Sequence, residues 1–243
     1  MNGKNLYTEG LRRVLHRAGF DLVRTLGEGH LLKQAARVME DRHVGVVLDV
    51  GANTGQWARA IRALGYHGRI VSYEPLSDAF RALEVAARGD DLWTVVNVAL
   101  GEEPGETVIH VADNSQSSSI LEMLPAHREA DPRSGYIRDQ PVRVTTLDAA
   151  VLEACAGLEP VFVKIDAQGY EDRILNGADT TLKSVVGMQI ELSLVALYEG
   201  EPLIEEMIAS VRSLGFVPTS LEPNFRSKDT GRLLQVDGLF VRD

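Results

Sequence analysis

The stretch Val46-Val47-Leu48-Asp49-Val50 runs straight into Gly51-Ala52-Asn53-Thr54-Gly55, and this join constrains the rest of the chain. A short apolar, β-branched run of this kind suits a strand buried on both faces of a parallel sheet. Its carboxylate, Asp49, falls near the strand's end. After the loop, Gln56 to Leu64 places Trp57, Ala60, Ile61 and Leu64 on one face of a helix. Strand, glycine loop and helix in that order form a nucleotide-type site at the carboxyl edge of an α/β sheet.

The units that follow repeat the theme. Arg69 to Pro75 reads as a second strand ending on Glu74 with proline as its stop, and Ser77 to Arg88 as a helix capped by Ser77 or Asp78. Leu92 to Leu100 reads as the third strand. The β-α-β-α-β order implies right-handed crossovers and a doubly wound sheet. After Gly101 the pattern changes: Glu106 to Val111 and Arg143 to Leu147 alternate like hairpin strands around a Ser-, Asp- and Pro-rich segment. A loop of that length inside a compact domain is functional or disordered, and the insertion over about 112–142 is expected to act as a lid. Asp148 suits the start of the next helix. Val161 to Asp166 is a fourth buried strand, followed by a helix through Leu182, a strand over Gly187 to Leu192 and a helix from Pro202 to Leu214. Phe216 to Leu221 and Leu233 to Val241 close the chain as an antiparallel hairpin.

Upstream, Leu11, Val14, Leu15 and Ala18 share a helical face before Gly19, and Leu32, Ala35, Ala36 and Met39 share another. Residues 1–44 are therefore expected to be a helical N-terminal extension to a domain over 45–243. The extension packs on the core, covers the substrate pocket as a lid or offers a homodimer surface. A net charge of −10 argues against a nucleic-acid partner. The single cysteine, Cys155, precludes an internal disulfide framework and reads as a packed thiol. No apolar run resembles a signal peptide or a membrane span, so a soluble, cytoplasmic protein is expected.

The glycine loop departs from the dinucleotide fingerprint. Counted from Gly51, the second and third glycine positions hold Asn53 and Gln56, and Asn53 carries a side chain where a pyrophosphate needs bare backbone. No Lys-Ser/Thr pair serves a triphosphate. The strands end instead on Asp49, Glu74 and Asp166, a set that repels polyphosphate and suits a cationic ligand. S-adenosylmethionine fits, with a sulfonium, an ammonium and two ribose hydroxyls. Glu74 is placed to accept both ribose hydroxyls, a charge-assisted pair. Gly51 and Gly55 allow the turn beneath the cofactor, backbone near Asp49 to Asn53 meets its methionine end, and Asn97 to Leu100, including Ala99, lies near its adenine.

The series LDVGANTGQW, VSYEP, VNVALG, SSS, TTLD, VKIDAQGYE with RILNGA, IELS and QVDGLFV resembles the FkbM-type methyltransferases over roughly residues 46–241. The resemblance implies a class I methyltransferase fold, a Rossmann-like, mostly parallel seven-stranded sheet with an antiparallel last strand. It also implies S-adenosylmethionine as methyl donor, transfer usually to an oxygen, and cofactor contacts from Asp49, Gly51, Asn53, Gly55, Glu74 and Ser117 or Ser118.

Methyl transfer to an alcohol needs near-collinear alignment and a proton acceptor. Asp166, at the end of the fourth strand, is the first candidate base and Glu191, on the neighbouring strand, the second. Asp166 can equally accept from the cofactor's amino group. With Asp237 the two carboxylates are also a candidate site for a divalent cation such as Mg2+. Tyr170 and Tyr198 are candidates to stack on a ring-shaped acceptor, and Asp237 to extend an acidic pocket. His110 and His127 rank below the carboxylates as bases, read as lone surface histidines. Carboxylates suit the donor hydroxyls of a small-molecule or oligosaccharide acceptor, so O-methylation of a sugar or glycan is the expected reaction, and a polyketide or other secondary-metabolite hydroxyl the alternative. From other classes, an NAD-dependent oxidoreductase is disfavoured by Asn53 and the closing hairpin, and a non-catalytic binding module stands as the last reading.

Overall fold

The computed structural model describes residues 31–154 and 160–243. The helix expected over Leu11 to Ala18 and the environment of Cys155 lie outside the described residues. The chain runs α1 (Leu31–Asp41), β1 (Val46–Val50), α2 (Gln56–Ala63), β2 (Arg69–Tyr73), α3 (Ser77–Ala87), β3 (Trp93–Val96), β4 (Ala99–Leu100) and β5 (Gly105–Ala112). It continues through α4 (Pro125–Ala130), β6 (Tyr136–Thr145), α5 (Leu147–Ala154), β7 (Val161–Ile165), α6 (Glu171–Asn176), β8 (Val185–Ser193), α7 (Ile204–Ser213), β9 (Phe216–Arg226) and β10 (Leu233–Arg242). Seven strands form the main sheet in the order β3-β2-β1-β7-β8-β10-β9. β1, β2, β3, β7 and β8 pair in parallel, and β10 runs antiparallel to both β8 and β9. This is the expected class I methyltransferase architecture, with its antiparallel last strand.

The alternation of the strands explains both layers. Leu48, Val50, Val163 and Ile165 face one side, where Leu147, Ile174, Met207 and Val211 from α5, α6 and α7 pack on them. Val47, Ile70, Phe162 and Leu239 face the other, beneath Leu31, Ala35 and Met39 of α1 and Ile61 and Leu83 of α2 and α3. β1 and β7 are buried along their whole length, as strands covered on both faces must be.

Four local expectations are corrected. The run from Leu92 to Leu100 breaks at Asn97, so β3 stays in the main sheet while β4 joins β6 and β5 in a separate three-stranded sheet. The segment over 112–142 is not loop: it contains α4, two 3-10 turns and most of β6, which pairs with β5 from Tyr136 onward. The helix expected to reach Leu182 ends at Asn176, and a 3-10 turn over Thr181–Lys183 follows. Neither Ser77 nor Asp78 caps α3; Glu74 Oε1 accepts the Leu76 N–H (2.8 Å) and Gln140 Oε1 the Ser77 N–H (3.3 Å). Among the described residues no helix is long and apolar enough to cross a membrane.

The α2-facing side carries a buried polar cluster. Trp93 Nε1 donates to Ser72 Oγ (2.9 Å), and Ser72 Oγ donates to Asp49 Oδ2 (3.0 Å). Lys164 Nζ lies 3.5 Å from Asp49 Oδ1 and 3.5 Å from Asp166 Oδ2. It also donates to the carbonyls of Val50 (3.2 Å) and Gly51 (2.9 Å). Burial alone would pull the lysine's pKa down, but Asp166, Asp49, Asp237 and Glu191 together hold it above the usual value. A Lys164→Met substitution leaves Asp49 as an uncompensated buried charge. It should cost about 3–5 kcal/mol in denaturant unfolding, part of it recovered when Asp49→Leu is added.

Candidate active site

The site grows from the β1–α2 turn. Gly51 sits at φ 69°, and a Cβ there would lie 1.8 Å from the Asp166 carbonyl oxygen, so the turn passes directly against the end of β7. Asn53 also adopts a left-handed backbone (φ 48°). That conformation turns its N–H onto Glu74 Oε2 (2.7 Å), while its side-chain Nδ2 donates to Ser115 Oγ (3.1 Å). The β1–α2 turn is thus bonded to the Glu74 carboxylate at the tip of β2, and Ser115 is bonded to the turn.

A cavity of about 260 Å³ lies over these strand ends. That is just below the roughly 300 Å³ at which small-molecule sites ordinarily begin. Gly51, Asn53, Glu74, Ala99, Ser117, Ser118, Asp166, Tyr170 and Glu191 all line it. Five expected site residues do not line it, Tyr198 among them. Asp49 is wholly buried under the sheet in its ion pair with Lys164. Gly55 starts α2 against Leu83 and Trp93. Asn97 turns its amide inward onto the carbonyls of Glu74 (2.8 Å) and Pro75 (3.1 Å). Asp237 stands opposite Glu191 in the β8–β10 ladder and takes a hydrogen bond from Gln189.

Tyr198 is the clearest correction. It is 0% exposed, and its hydroxyl lies 2.8 Å from Gln168 Oε1 and 3.1 Å from the Ser117 carbonyl, so no face is left to stack on an acceptor. The two histidines part company. His110 is held by Asp139 (2.7 Å) and Glu122 (3.3 Å) outside the cavity. His127 is buried rather than at the surface, and it lines the cavity. Its ring meets Tyr198 edge-on and lies against Phe225. Burial lowers its pKa to about 4, so the ring is neutral.

Three groups that composition and spacing did not single out complete the site. Gln168, Asn224 and Gln235 each donate to the Glu191 carboxylate at 2.8 Å. Gln168 also donates to Asp166 Oδ1 (2.9 Å). Asn224 and Gln235 lie on strands far along the chain, and a lone amide in a strand carries no signature that marks it as a site residue. Burial pushes the Glu191 carboxyl well above the usual carboxylate range, with Asp166, Glu171 and Asp237 adding to the effect.

A divalent cation does not fit this donor set. The Glu191 oxygens already face three amide donors, Asp237 is outside the cavity, and among the described residues no three acidic, histidine or cysteine side chains group to hold a metal.

This strand order and this site, a glycine turn over the end of β1 facing acidic strand tips, define a class I methyltransferase. A family model described as the methyltransferase FkbM domain matches residues 49–218, and the chain belongs to that family. The fold is similar to that of TehB from Haemophilus influenzae (TM-score 0.50, 9% identity, covering 90% of this chain and 64% of that one). Magnesium protoporphyrin IX methyltransferase (ChlM) from Synechocystis PCC 6803, solved with bound SAM, aligns at a TM-score of 0.45 with 9% identity over 98% of this chain and 92% of that one. Precorrin-6y C5,15-methyltransferase from Geobacter metallireducens GS-15 aligns at 0.45 with 10% identity over 93% and 95%. No functionally curated protein matches the chain.

Glu74 lends the site a pH dependence. It is 4% exposed, and burial raises its pKa from 4.5 to about 7, against the pull of its two backbone N–H donors. A raised acid pKa means that the folded protein binds the proton more tightly than the unfolded chain, so this contribution to stability falls as pH rises between 4.5 and 7. In denaturant unfolding, the stability of the wild type relative to Glu74→Gln should decline by about 3 kcal/mol across that window and stay level above it.

Proposed function

We propose that this protein transfers the methyl group of S-adenosylmethionine to a hydroxyl of a sugar or glycan. The observation that carries the reading is the convergence of Asp166 and Glu191 with the amides of Gln168, Asn224 and Gln235 at one end of the cavity. Carboxylates accept and the amides of Asn224 and Gln235 donate or accept, while Gln168 is spent on its protein partners; a polyhydroxylated ring offers both functions from every hydroxyl. Phe225 and Tyr170, which also line the cavity, supply apolar surface for the ring's C–H faces.

S-adenosylmethionine supplies an electrophilic methyl group on a sulfonium. In our reading the chain's residues bind it through the turn over Gly51 and Asn53, through Glu74 accepting from the ribose hydroxyls, and through Ala99, Ser117 and Ser118 around the adenine and its surroundings. Each Glu74 oxygen already accepts one backbone N–H and keeps a lone pair for a hydroxyl. Asp166, with a side chain 37% exposed and Lys164 Nζ 3.5 Å away, takes the acceptor's hydroxyl proton. Glu191, clasped by three amides, orients the acceptor rather than moving a proton.

Two measurements test this. Glu74 must be ionised to accept two hydroxyls, so S-adenosylhomocysteine affinity should rise about tenfold from about pH 6 to about pH 8. The dependence should vanish in Glu74→Gln; a flat wild-type profile would remove Glu74 from the ribose. Radiolabelled methyl transfer over a panel of methyl glycosides, oligosaccharides and non-sugar alcohols tests the acceptor. Asp166→Asn should lower turnover about 10²–10⁴-fold with S-adenosylhomocysteine binding retained. Transfer to a nitrogen, or to non-sugar alcohols alone, would sink the sugar assignment.

A further inference from the structure

Gln168 is bonded on every side. Its backbone is left-handed (φ 55°), a conformation that L residues with a Cβ adopt rarely and only where the surroundings impose it. One side-chain N–H goes to Asp166 Oδ1 (2.9 Å) and the other to Glu191 Oε2 (2.8 Å). The amide oxygen accepts from the Tyr198 hydroxyl (2.8 Å), and the backbone carbonyl accepts from Ser119 Oγ (2.7 Å) in the segment above the cavity. A flip of the amide would set its oxygen against an Asp166 carboxyl oxygen and away from the Tyr198 hydroxyl, so the observed orientation is the one that satisfies both. Tyr198, fully buried, holds that orientation from behind.

We propose that Gln168 is a positioning residue for methyl transfer: it sets the rotamer of Asp166 and holds it apart from Glu191, and Tyr198 fixes which end of the amide meets the acids. The proposal rests on the reading of Asp166 as proton acceptor. Apart from this amide, Asp166 has a 3.5 Å ion pair with Lys164 and an open approach from the cavity. Without the amide its carboxylate turns toward the lysine and away from the acceptor. Such misplacement costs turnover rather than cofactor binding, because alignment matters when the acceptor's proton leaves.

The test uses the full chain with Gln168→Leu, Tyr198→Phe and Asp166→Asn. The Gln168 side-chain amide signals, assigned in ¹⁵N NMR spectra by their loss in Gln168→Leu, should be shifted and slow to exchange. One proton should move in Asp166→Asn, and both should broaden in Tyr198→Phe. With the best acceptor of the panel, kcat should fall about 100-fold in Gln168→Leu and about threefold to tenfold in Tyr198→Phe. In Gln168→Leu the KM for S-adenosylmethionine and the affinity for S-adenosylhomocysteine should stay within about twofold, since that side chain bonds only Asp166, Glu191 and Tyr198, whereas Tyr198→Phe also loses a contact with the Ser117 carbonyl and is read by kcat and the amide signals. Tyr198→Phe keeps the ring packed and guards against a Gln168 variant that fails to fold. Amide signals indifferent to both Asp166→Asn and Tyr198→Phe would overturn the proposal, as would losses confined to KM. Should the wild type methylate no hydroxyl at all, the proposed function falls, and the amide signals still decide whether Gln168 holds Asp166.

Discussion

Lys164 ties the sheet to the site. A lysine at the second-last position of a fully covered strand has no solvent to meet its charge, so that charge must be balanced within the fold. Asp49 on β1 and Asp166 beyond β7 balance it from either side, each 3.5 Å away, and it donates to the carbonyls of Val50 and Gly51. The same cation therefore joins β7 to β1, fixes the start of the glycine turn and lies 3.5 Å from the carboxylate that faces the cavity. A buried ion pair is a poor source of net stability, because desolvation offsets much of the attraction. Its value here lies in register and in charge.

Around that cation the site is assembled from turns that adopt conformations the chain would not choose by itself. Gly51, Asn53, Gln168 and Gly169 all have positive φ, and two of them carry side chains. Each of those two is held by hydrogen bonds on both backbone and side chain: Asn53 through Glu74 and Ser115, Gln168 through Ser119, Asp166, Glu191 and Tyr198. The segment between β5 and β6 contributes to both clusters, which explains why this Ser-rich stretch is ordered. Its polar groups are met by partners on the sheet's carboxyl edge, so burying the backbone there leaves few unpaired donors.

Much of this was legible in the chain. Strands β1, β2, β7 and β8 announce themselves as short apolar runs, and the helices between them by a 3.6-residue period, since both patterns follow from local geometry. Glu74, Asp166 and Glu191 could be named because a parallel strand's carboxyl end is where α/β sheets place their ligands. Other features were misread for equally physical reasons. The apolar run through Leu100 conceals a break at Asn97, whose amide is drawn to the carbonyls of β2's end, a partner that no local pattern reveals. Asp49 ends a strand as Glu74 does, yet pleating turns it under the sheet. Tyr198 was misplaced because burial of a loop tyrosine depends on what folds over it.

The sequence by itself determined the class of this protein: its periodicities specify the order of strands and helices, and the residue types at the strand ends specify an acidic site without phosphate-binding backbone. Tertiary structure alone decided which polar groups work together. Gln168, Asn224 and Gln235 come from three separate elements and meet at Glu191 only when β8, β9 and β10 pair in register. His127 becomes a neutral, buried wall of the cavity only when Tyr198 and Phe225 close around it. Hydrogen bonds and burial act through space between residues far apart in the chain, and a one-dimensional pattern carries no record of those distances.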